Sequence, residues 1–503
     1  MNLQELRKEI DSIDDQLVSL FARRMEITSA VARYKAENKL PVYDPVRERQ
    51  KLDDIASKLP DDLKEYGCSL FSGIFELSRS LQNRILSHDS NAGDHQTMKC
   101  GLLGRTLGHS YSPQIHALLS DYEYELYEKE PEDVAAFLTS GAFDGINVTI
   151  PYKKTVMPFC DELSETAKAI GSVNTIVRRE DGTLFGDNTD AFGFEKLIGK
   201  CGISVSGKKA LVLGTGGASV TAVYVLKKLG AKEVIPISRT GENNYGNLSL
   251  HADAEIIANT TPVGMFPNNG ESPVDLSIFK NLSGLLDVVY NPARTAIALQ
   301  AEKLGIPYAT GLYMLVAQAK RSSELFMGKS IPDAEIDRIY DILSAQMQNI
   351  VIIGMPGSGK TAVSSLLSEK TGREMIDTDA LIVSRSGVSI PGIFASCGEE
   401  GFRKAETAAA AEAGKLGGKI ISTGGGIVTR EENYDLLHQN GIIIWIQRDT
   451  SLLPKDGRPL SQANDLNEMY HRRRPMYERF SDVTVDNNGT LEETVNTIME
   501  IIK

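Results

Sequence analysis

The sequence has 503 residues, of which 24% are charged and 41% hydrophobic, and its formal net charge is −13. The length predicts about three domains of soluble globular composition. The acidic balance argues against nucleic acid as a partner, and the lack of an apolar run of ~18 residues argues against a membrane span. The charged N-terminus does not resemble a signal peptide, and five scattered cysteines without a C-x-x-C pair indicate a cytoplasmic protein.

The chain divides where its pattern changes. A helical apolar period comes first, and a polar stretch that reads as a linker follows it. Strands then alternate with helices up to a long helical stretch over roughly 313–346, and a junction of two to five residues leads into a further α/β segment. We therefore predict a multidomain fold with an all-α domain, an α/β substrate domain plus a Rossmann domain, and an α/β P-loop domain. The predicted boundaries are 1–86, 87–98 (linker), 99–347 (divided into 99–200, 201–310 and 311–347) and 348–503.

The first segment carries apolar residues at steps of three and four, from Leu3 to Leu20 and again from Ile27 to Tyr34. This stripe predicts a helix of ~30 residues, and a helix of that length needs a partner helix to cover the stripe. Arg24 interrupts the stripe, where a cation is costly unless an anion meets it. Arg24 therefore either pairs with a carboxylate of a neighbouring helix or belongs to an anion-binding site, and Lys35 shares its face.

Arg7 lies on a nearby face of the same helix, ~25 Å along the axis from Arg24. No small ligand can touch both arginines of one helix. Arg7 is therefore either uninvolved or completes a site on a second copy of the chain. The second reading predicts a homodimer with antiparallel N-terminal helices and two shared sites.

The stretches "LRKEIDSIDDQLVSLFARRMEITSAVARYK", "PVYDPVRERQ" and "LSRSLQ" resemble the all-helical chorismate mutases over residues 3–85. The resemblance implies rearrangement of chorismate to prephenate without a cofactor, with donors from Lys35 and Gln82 at the breaking ether oxygen. The alternative is a dimerisation and ligand-sensing module without activity. The implied binding residues are Arg7 of the second chain, Arg24, Lys35, Asp44, Arg47, Glu48, Ser78 and Gln82.

In the middle segment, "ALVLGTGGASVTAVYVLKKLG" (210–230) predicts a strand, a glycine turn and a helix, as a dinucleotide fold requires. The next strand, "EVIPI", ends at Ser238, Arg239 and Thr240. An NAD site often has an acidic residue near this point, whereas Arg239 suits the 2′-phosphate of NADP. The alternative is an exposed loop arginine with no ligand.

The loops "GHSYSPQIH", "NVTIPYK" and "GDNTDAF", together with "NTTPVGM" and "GLYMLVAQA", resemble shikimate dehydrogenases over about 100–345. The resemblance implies hydride transfer from NADPH to 3-dehydroshikimate, with Lys153 and Asp190 as the acid–base pair. The run "SRTGENN" lacks the second basic residue that this family often has, which predicts modest discrimination of NADP from NAD. The implied substrate residues are Ser110, Ser112, Thr149, Lys153, Asn174, Asp190, Tyr290 (near the nicotinamide) and Gln318, and the cofactor residues are Gly214, Gly216, Gly217, Ala218, Ser238, Arg239, Thr240 and Gly311.

The last segment opens with "IIGMPGSGKT", which fits the phosphate-binding pattern G-x-x-x-x-G-K-[ST]. Its backbone N–H groups and helix N-terminus would face phosphate oxygens, with Lys360 as counter-charge and Thr361 as a Mg²⁺ ligand. "EMIDTDALI" then supplies paired carboxylates at Asp377 and Asp379. Arginines and a glycine triplet follow in "GFRKAE", "STGGGIV", "DGRPL" and "HRRRPMY". Such arginines either form a solvated face or bind the transferred phosphoryl group and a substrate carboxylate, as a kinase needs.

This set resembles the shikimate kinases over about 350–503. The resemblance implies a trifunctional enzyme of the shikimate pathway, in which the middle domain makes shikimate and the last domain phosphorylates it with ATP and Mg²⁺. Asp379 would orient the acceptor hydroxyl, and Arg458 would lie on a mobile lid that is short and has Lys455 in place of the usual arginine. The alternative is a kinase for another small polyol or a nucleotide. The implied ATP residues are Gly357, Ser358, Gly359, Lys360, Thr361 and Arg458, the shikimate residues are Asp379, Arg403, Gly425 and Arg473, and the metal residues are Thr361 and Asp377.

Overall fold

The fold is described from a computed structural model of the chain. It describes residues 3–37, 45–60, 98–108, 110–453 and 466–502 and, between 61 and 82, only residues 63, 64, 67, 68, 70, 71, 73–75, 77, 78 and 82. The chain forms two compact units, Met1–Met98 and Lys99–Lys503.

The first unit is helical where it is described. Helix α1 spans Leu3–Glu37, which is 35 residues and slightly longer than the predicted helix, and α2 spans Pro45–Ser57. Much of the apolar stripe on α1 is open to solvent within the chain, since Leu17 is 51% exposed, Leu20 64% and Ile27 59%. Such an apolar surface on a long helix is favourable only when another surface covers it.

The second unit begins with a six-stranded mixed sheet in the order β2-β1-β3-β5-β6-β4. Strands β1 and β3 pair in parallel and carry mostly buried residues, as expected for interior strands with helices on their faces. The elements are β1 Lys99–Gly104, α3 Ser112–Leu119, β2 Glu123–Glu128, α4 Val134–Thr139, β3 Gly145–Val148, β4 Glu162–Leu163, α5 Glu165–Ile170, β5 Thr175–Arg178 and β6 Leu184–Asp187.

A parallel five-stranded sheet follows in the order β11-β10-β9-β7-β8. This open parallel arrangement, with the glycine turn between β7 and α7, is the predicted Rossmann-type half. The elements are α6 Asp190–Cys201, β7 Lys209–Leu213, α7 Gly217–Lys228, β8 Glu233–Ile237, β9 Ile256–Asn259, β10 Gly284–Asp287, α8 Ala296–Lys303 and β11 Tyr308–Thr310.

Two helices close this part of the chain, α9 Leu312–Met327 and α10 Ala334–Met347. The sequence predicts this part to be helical over roughly 313–346, and it consists of two helices with a break between them that the prediction does not place. Gly328 ends α9 with a left-handed φ of 63°, and Pro332 follows before the next helix starts. A glycine at a helix C-terminus and a proline shortly after it are the usual stop signal.

The third sheet is also parallel, in the order β13-β14-β12-β15-β16, and β12 is its buried central strand. Continuous apolar strands of this kind, enclosed by helices, are typical of a P-loop fold. The elements are β12 Asn349–Ile353, α11 Lys360–Thr371, β13 Met375–Asp377, α12 Thr378–Ser386, α13 Ile390–Lys415, β14 Ile420–Ser422, α14 Glu432–His438, β15 Gly441–Gln447, α15 Leu466–Phe480, β16 Val483–Asp486 and α16 Leu491–Ile501.

The junction between α10 and β12 is a single residue, Gln348, shorter than the two to five residues predicted. Arg373, just after α11, donates to the carbonyl of Gln348 at 2.6 Å and to that of Ala345 at 2.7 Å. The Gly418 N–H donates to Met347 O at 2.8 Å. The carbonyls at the end of α10 are thus satisfied by donors from the following domain, which joins the two without a flexible linker.

Two further observations concern the described residues as a whole. No single helix among them is long and apolar enough to cross a membrane, and one bent pair, α12 with α13, passes that test by length and composition when taken together. The five cysteines are all free thiols.

Candidate functional site

A cavity of about 760 Å³ lies in the first unit, between α1, α2 and the helical residues near 71–82. Its wall combines apolar side chains with several cations, including Arg23 and Lys51. Such a mixture suits a small organic anion, because the apolar side chains can cover the hydrocarbon part of the ligand while the cations pair with its negative charges. Five residues predicted from the sequence line it: Arg24, Lys35, Arg47, Ser78 and Gln82.

Arg24 is held at this cavity by two contacts. Its guanidinium donates to the Ser78 hydroxyl and lies 5.5 Å from the centre of the Phe75 ring. Partial burial lowers the pKa of Arg24. The buried Gln82 Oε1 has no hydrogen-bond partner among the described residues. A partly desolvated cation and an unsatisfied amide thus face the same cavity.

Arg7 is not among the residues that line this cavity, and the other predicted residues of this unit have no described side chain. Arg7 is exposed on the first turns of α1, and the 17 residues that separate it from Arg24 correspond to about 25 Å. Asp44 lies outside the described residues, and Glu48 is in α2 without a described side chain. Arg7 and Arg24 of one chain are therefore too far apart for one small ligand to contact both.

In the second unit, Lys153 and Asp190 form an ion pair with 2.6 Å between Nζ and Oδ2. Asn174 donates from Nδ2 to the other carboxylate oxygen of Asp190 at 2.9 Å. Asp190 is the first residue of α6, where the N-terminal end of the helix favours a negative charge. The pair is mostly shielded from water, with side chains 27% and 16% exposed, so both groups are held in a fixed geometry.

A buried hydroxyl and amide network fixes Asn174. Its Oδ1 accepts from Thr189 N at 2.7 Å, and the Thr189 hydroxyl lies 3.0 Å from the Ser322 hydroxyl. Gln318, one turn before Ser322 on α9, accepts from the Thr189 hydroxyl at 3.5 Å. Asn174 and Gln318 are among the residues predicted from the sequence, whereas Thr189 and Ser322 are not, because only the fold brings these segments together.

The remaining predicted substrate residues lie before and at the start of α3, after β3 and after β10. The Ser110 hydroxyl accepts from Ser112 N at 3.2 Å, and Ser112 starts α3. Thr149 follows β3 and its N–H donates to Leu103 O at 2.9 Å. Tyr290 follows β10, and its ring meets that of Tyr111 edge to face with 6.0 Å between ring centres.

The glycine turn and the predicted 2′-phosphate residue share one edge of the parallel sheet. The Gly214 N–H, after β7, donates to Ile237 O at 2.9 Å, so Gly214 stands beside the end of β8. Gly214 has a φ of 105°, which favours glycine. Gly216 and Gly217 open α7 with free space where a side chain would stand, and Ala218 follows them.

At the neighbouring strand end, Ser238 accepts from Gly241 N at 2.6 Å, while Arg239 and Thr240 are exposed. Gly311 is different, since a Cβ there would stand 2.0 Å from Val288 O. Its glycine is therefore explained by close packing against the strand end that precedes Tyr290.

The phosphate loop of the third sheet runs from β12 to α11. Lys360 is buried, and its Nζ donates to the carbonyls of Gly354 at 3.0 Å and Met355 at 2.9 Å. Thr361, next on α11, donates to Asp377 Oδ2 at 3.4 Å. The buried Ser358 hydroxyl has no partner among the described residues. The loop thus presents oxygen ligands and a lysine at one helix N-terminus. Gly357 and Gly359 take left-handed φ values of 85° and 95°.

A cavity of about 560 Å³ lies next to the loop and contains the predicted acceptor residues Asp379, Arg403, Gly425 and Arg473. Arg473 is 3% exposed; it donates to Gly425 O at 3.0 Å, and its Nε has no partner among the described residues. A Cβ at Gly426 would meet the Arg403 guanidinium at 1.9 Å, so the glycine triplet lets backbone and arginine pack in contact.

Glu406 and Tyr477 are two residues at this site that are not among those predicted from the sequence. Glu406 lies one turn after Arg403 and accepts from it at 2.6 Å. Burial raises the pKa of Glu406, and the adjacent Arg403 opposes that shift. Tyr477 donates to Gly425 O at 2.5 Å. The i,i+3 spacing of Arg403 and Glu406 on one helix is a signal that could have found the first. The predicted lid residues Arg458 and Lys455 lie outside the described residues.

Three family models match separate parts of the chain. The model for chorismate mutase type II matches residues 6–83, that for the shikimate dehydrogenase substrate binding domain matches residues 102–176, and that for shikimate kinase matches residues 356–503. The three matches follow one another along one polypeptide, in the order predicted from the motifs.

Curated relatives match the middle of the chain. The shikimate dehydrogenase (NADP(+)) of Clostridium perfringens strain SM101 is 35% identical over 268 residues, covering 49% of this chain and 98% of the relative. That of Caldicellulosiruptor bescii is 39% identical over 251 residues, covering 44% of this chain and 86% of the relative. A solved chorismate mutase/shikimate 5-dehydrogenase fusion protein from Clostridium acetobutylicum is 35% identical, with a TM-score of 0.47, covering 50% of this chain and 98% of that chain.

Proposed function

Because the chain belongs to the shikimate dehydrogenase family and carries chorismate mutase and shikimate kinase domains besides, we propose that its second unit performs two consecutive steps and its first unit a later one. The dehydrogenase part reduces 3-dehydroshikimate with NADPH, and the kinase part phosphorylates the resulting shikimate with ATP. The mutase part converts chorismate to prephenate. The observation that carries the proposal is the Lys153–Asp190 pair held by Asn174.

In the reductase step, Lys153 and Asp190 act at the carbonyl oxygen of the substrate. NADPH, when bound, supplies the hydride to the carbonyl carbon. Lys153 donates a hydrogen bond to the oxygen and Asp190 keeps the ammonium oriented, so that a proton reaches the oxygen as negative charge develops there. Ser110, Ser112, Thr149, Asn174 and Gln318 hold the carboxylate and the hydroxyls, and Tyr290 lines the nicotinamide side.

Arg239 carries the preference for NADP in this proposal. It is exposed at the end of β8, beside the glycine turn that follows β7. Because this guanidinium is exposed, it stays solvated in the free enzyme and is available to pair with a 2′-phosphate. Charge-assisted contacts of this kind are among the stronger hydrogen bonds. The glycine turn holds the pyrophosphate at the N-terminus of α7.

In the kinase step, Asp379 orients the acceptor hydroxyl and accepts its proton. Arg403 and Arg473 bind the substrate carboxylate, because the unpartnered Nε of Arg473 and the Arg403 guanidinium both line the acceptor cavity. Lys360 exchanges the two loop carbonyls for phosphate oxygens when ATP arrives.

Magnesium fits the oxygen ligands at this helix N-terminus. The Thr361 hydroxyl and an Asp377 carboxylate oxygen lie 3.4 Å apart beside the phosphate loop. Hard cations of this kind take hydroxyl, carboxylate and phosphate oxygens. The ion, when bound, would neutralise charge on the phosphates, while Asp377 also caps α12 through Asp379 N at 3.0 Å.

The mutase site is proposed to be shared between two chains. The cavity in one chain offers Arg24, Lys35, Arg47, Ser78 and Gln82. Arg7 must come from another copy, since it is about 25 Å from Arg24 along α1. The exposed stripe of α1 needs a long apolar cover, which the α1 of a second chain supplies in an antiparallel homodimer. We propose a cytoplasmic location as well, because all five thiols are free.

A coupled assay of the full chain tests the proposal. Dehydroshikimate, NADPH, ATP and Mg²⁺ are expected to give NADP⁺, ADP and shikimate 3-phosphate, detected by NADPH absorbance and by mass spectrometry. Without ATP the reaction should stop at shikimate. Accumulation of shikimate in the presence of ATP would refute the kinase assignment, and a panel of polyols and nucleosides would then identify its acceptor.

Chorismate is tested separately with the same chain. Loss of chorismate and appearance of prephenate support the mutase assignment. Binding of chorismate or prephenate without turnover would favour the sensing module instead.

A further inference from the structure

The loop after β10 leaves the nucleotide-binding sheet and returns to it, and we refer to residues 288–294 as the excursion. The residues on either side of the excursion are joined by a hydrogen bond, because the Thr295 hydroxyl donates to the buried Asp287 carboxylate at 2.5 Å. Near its start, Val289 O accepts from Gly311 N at 2.9 Å. Tyr290 lies on the excursion, so the position of its ring depends on what holds the far end.

The far end of the excursion is held by the kinase domain. Ala293 N donates to Asn440 Oδ1 at 2.8 Å, and Arg294 N donates to Gln439 O at 2.8 Å. These acceptors precede β15, an interior strand of the kinase sheet. The excursion is therefore tied to the rigid core of another domain.

The Arg294 side chain adds to this attachment. Its Nη1 donates to His438 O at 2.7 Å and lies 3.4 Å from Gly441 O. This one nitrogen thereby bridges the end of α14 and the start of β15.

Asn440 is itself fixed from the kinase side. It is 4% exposed, and its Nδ2 donates to Gly414 O at 3.1 Å and to Lys415 O at 3.2 Å, at the end of α13. The backbone carbonyl of Asn440 accepts from the N–H of Asn349, the first residue of β12, at 2.8 Å. A buried amide with all these partners has a single orientation, which leaves Oδ1 aimed at the excursion.

On its other side the excursion faces the substrate-binding half. The Tyr290 ring meets the Tyr111 ring edge to face at 6.0 Å, and Tyr111 lies between the predicted substrate residues Ser110 and Ser112. A shift of the excursion away from the kinase would move Tyr290 relative to these serines.

We propose that the kinase domain positions the dehydrogenase site, with Arg294 and Asn440 as positioning residues that act through Tyr290. The inference rests on the proposed dehydrogenase function. Arg294 and Asn440 are proposed to act only by placing Tyr290, and not by touching the substrate. A misplaced contact of about 1 Å can lower a rate by up to ~10²-fold, so partial release of one attachment is expected to lower kcat of the reductase by roughly tenfold.

The test uses the full-length chain with Arg294→Ala, Asn440→Ala and a control, Arg338→Ala. Arg338 is a half-exposed arginine of the same unit that also donates to a backbone carbonyl, that of Leu118 at 2.9 Å, and Leu118 belongs to α3 of the dehydrogenase part, not to the kinase. Reductase and kinase turnover are measured on each sample. The only tryptophan, Trp445 on β15, reports by its fluorescence whether the kinase sheet is intact.

Arg294→Ala is expected to lower reductase kcat while leaving kinase kcat and Trp445 emission unchanged, and Arg294→Lys should recover part of the loss. In a Tyr290→Ala background, Arg294→Ala should add less than about twofold, because both changes then act on one element. Asn440→Ala should lower the reductase rate as well.

Two results overturn the inference. One is reductase kcat at the wild-type level in both interface variants when the wild type is active. The other is an undiminished effect of Arg294→Ala in the Tyr290→Ala background. An inactive wild-type chain would instead refute the proposed dehydrogenase function itself.

Discussion

An equimolar mixture of an Arg7→Ala chain and an Arg24→Ala chain should regain chorismate mutase activity that neither chain has alone. The two arginines are about 25 Å apart on α1, so a site that uses both must take them from different chains. In a heterodimer, one site then carries both substitutions and the other carries neither. Each homodimer has a substitution in both of its sites.

The magnitude follows from counting sites in a two-fold dimer. A heterodimer should have about half of the wild-type rate, and a fully exchanged equimolar mixture, in which half of the dimers are mixed, about a quarter. Chorismate loss is measured before and after subunit exchange, which is verified by two different affinity tags. Arg33→Ala is the matched control, because Arg33 is an exposed arginine of α1 that does not line the cavity. No recovery after demonstrated exchange, or a monomer in solution, would refute the shared site.

Four further outcomes are expected. Lys153→Ala should lower kcat of dehydroshikimate reduction by ~10²-fold or more without changing shikimate phosphorylation; near-normal reduction would remove it from the mechanism. Arg239→Ala should weaken the binding of NADPH by ~1.5–3 kcal/mol and leave the binding of NADH unaffected; equal losses for both cofactors would mean that Arg239 does not contact the 2′-phosphate. Asp379→Asn should strongly lower the rate of shikimate phosphorylation without changing the rate of reduction. Unchanged kinase kcat and KM for shikimate would show that Asp379 does not belong to the acceptor site. Burial lowers the pKa of His116 to about 3 in the folded chain, below the 6.5 of the free side chain, so the unfolded state binds more protons and stability falls as pH drops below 6.5. Between pH 7.5 and 5.5 this costs about 1.4 kcal/mol, a loss that urea titrations of His116→Phe should lack.

The local parts of the fold and sites could be predicted from the sequence because their signals are short-range. The strand, glycine loop and helix around Lys360 are specified by consecutive residues, and so are the existence of the long helix α1 and the glycine turn at Gly214. The break between α9 and α10 at Gly328 also has a local signal, a glycine followed by a proline. The strong helical period on both sides makes that signal hard to recognise.

What the sequence could not predict depends on contacts between distant segments. Ser322 joins the network around Asn174 across more than a hundred residues, and no local pattern marks it. The attachment of Arg294 to the residues before β15 is of the same kind, because its acceptors are backbone carbonyls that every residue possesses. Hydrogen bonds to the main chain leave no compositional trace.

The one-residue junction at Gln348 determines how the chain would carry mechanical load. Tension applied between the dehydrogenase and the kinase meets no slack segment to extend. It passes from α10 straight into β12, the central strand of its sheet, which pairs on both sides with β14 and β15. Parallel strands pulled along their axis resist by shearing all their hydrogen bonds together, whereas a strand at an edge can be peeled away bond by bond. A pull on this junction therefore loads the central strand of the kinase sheet directly.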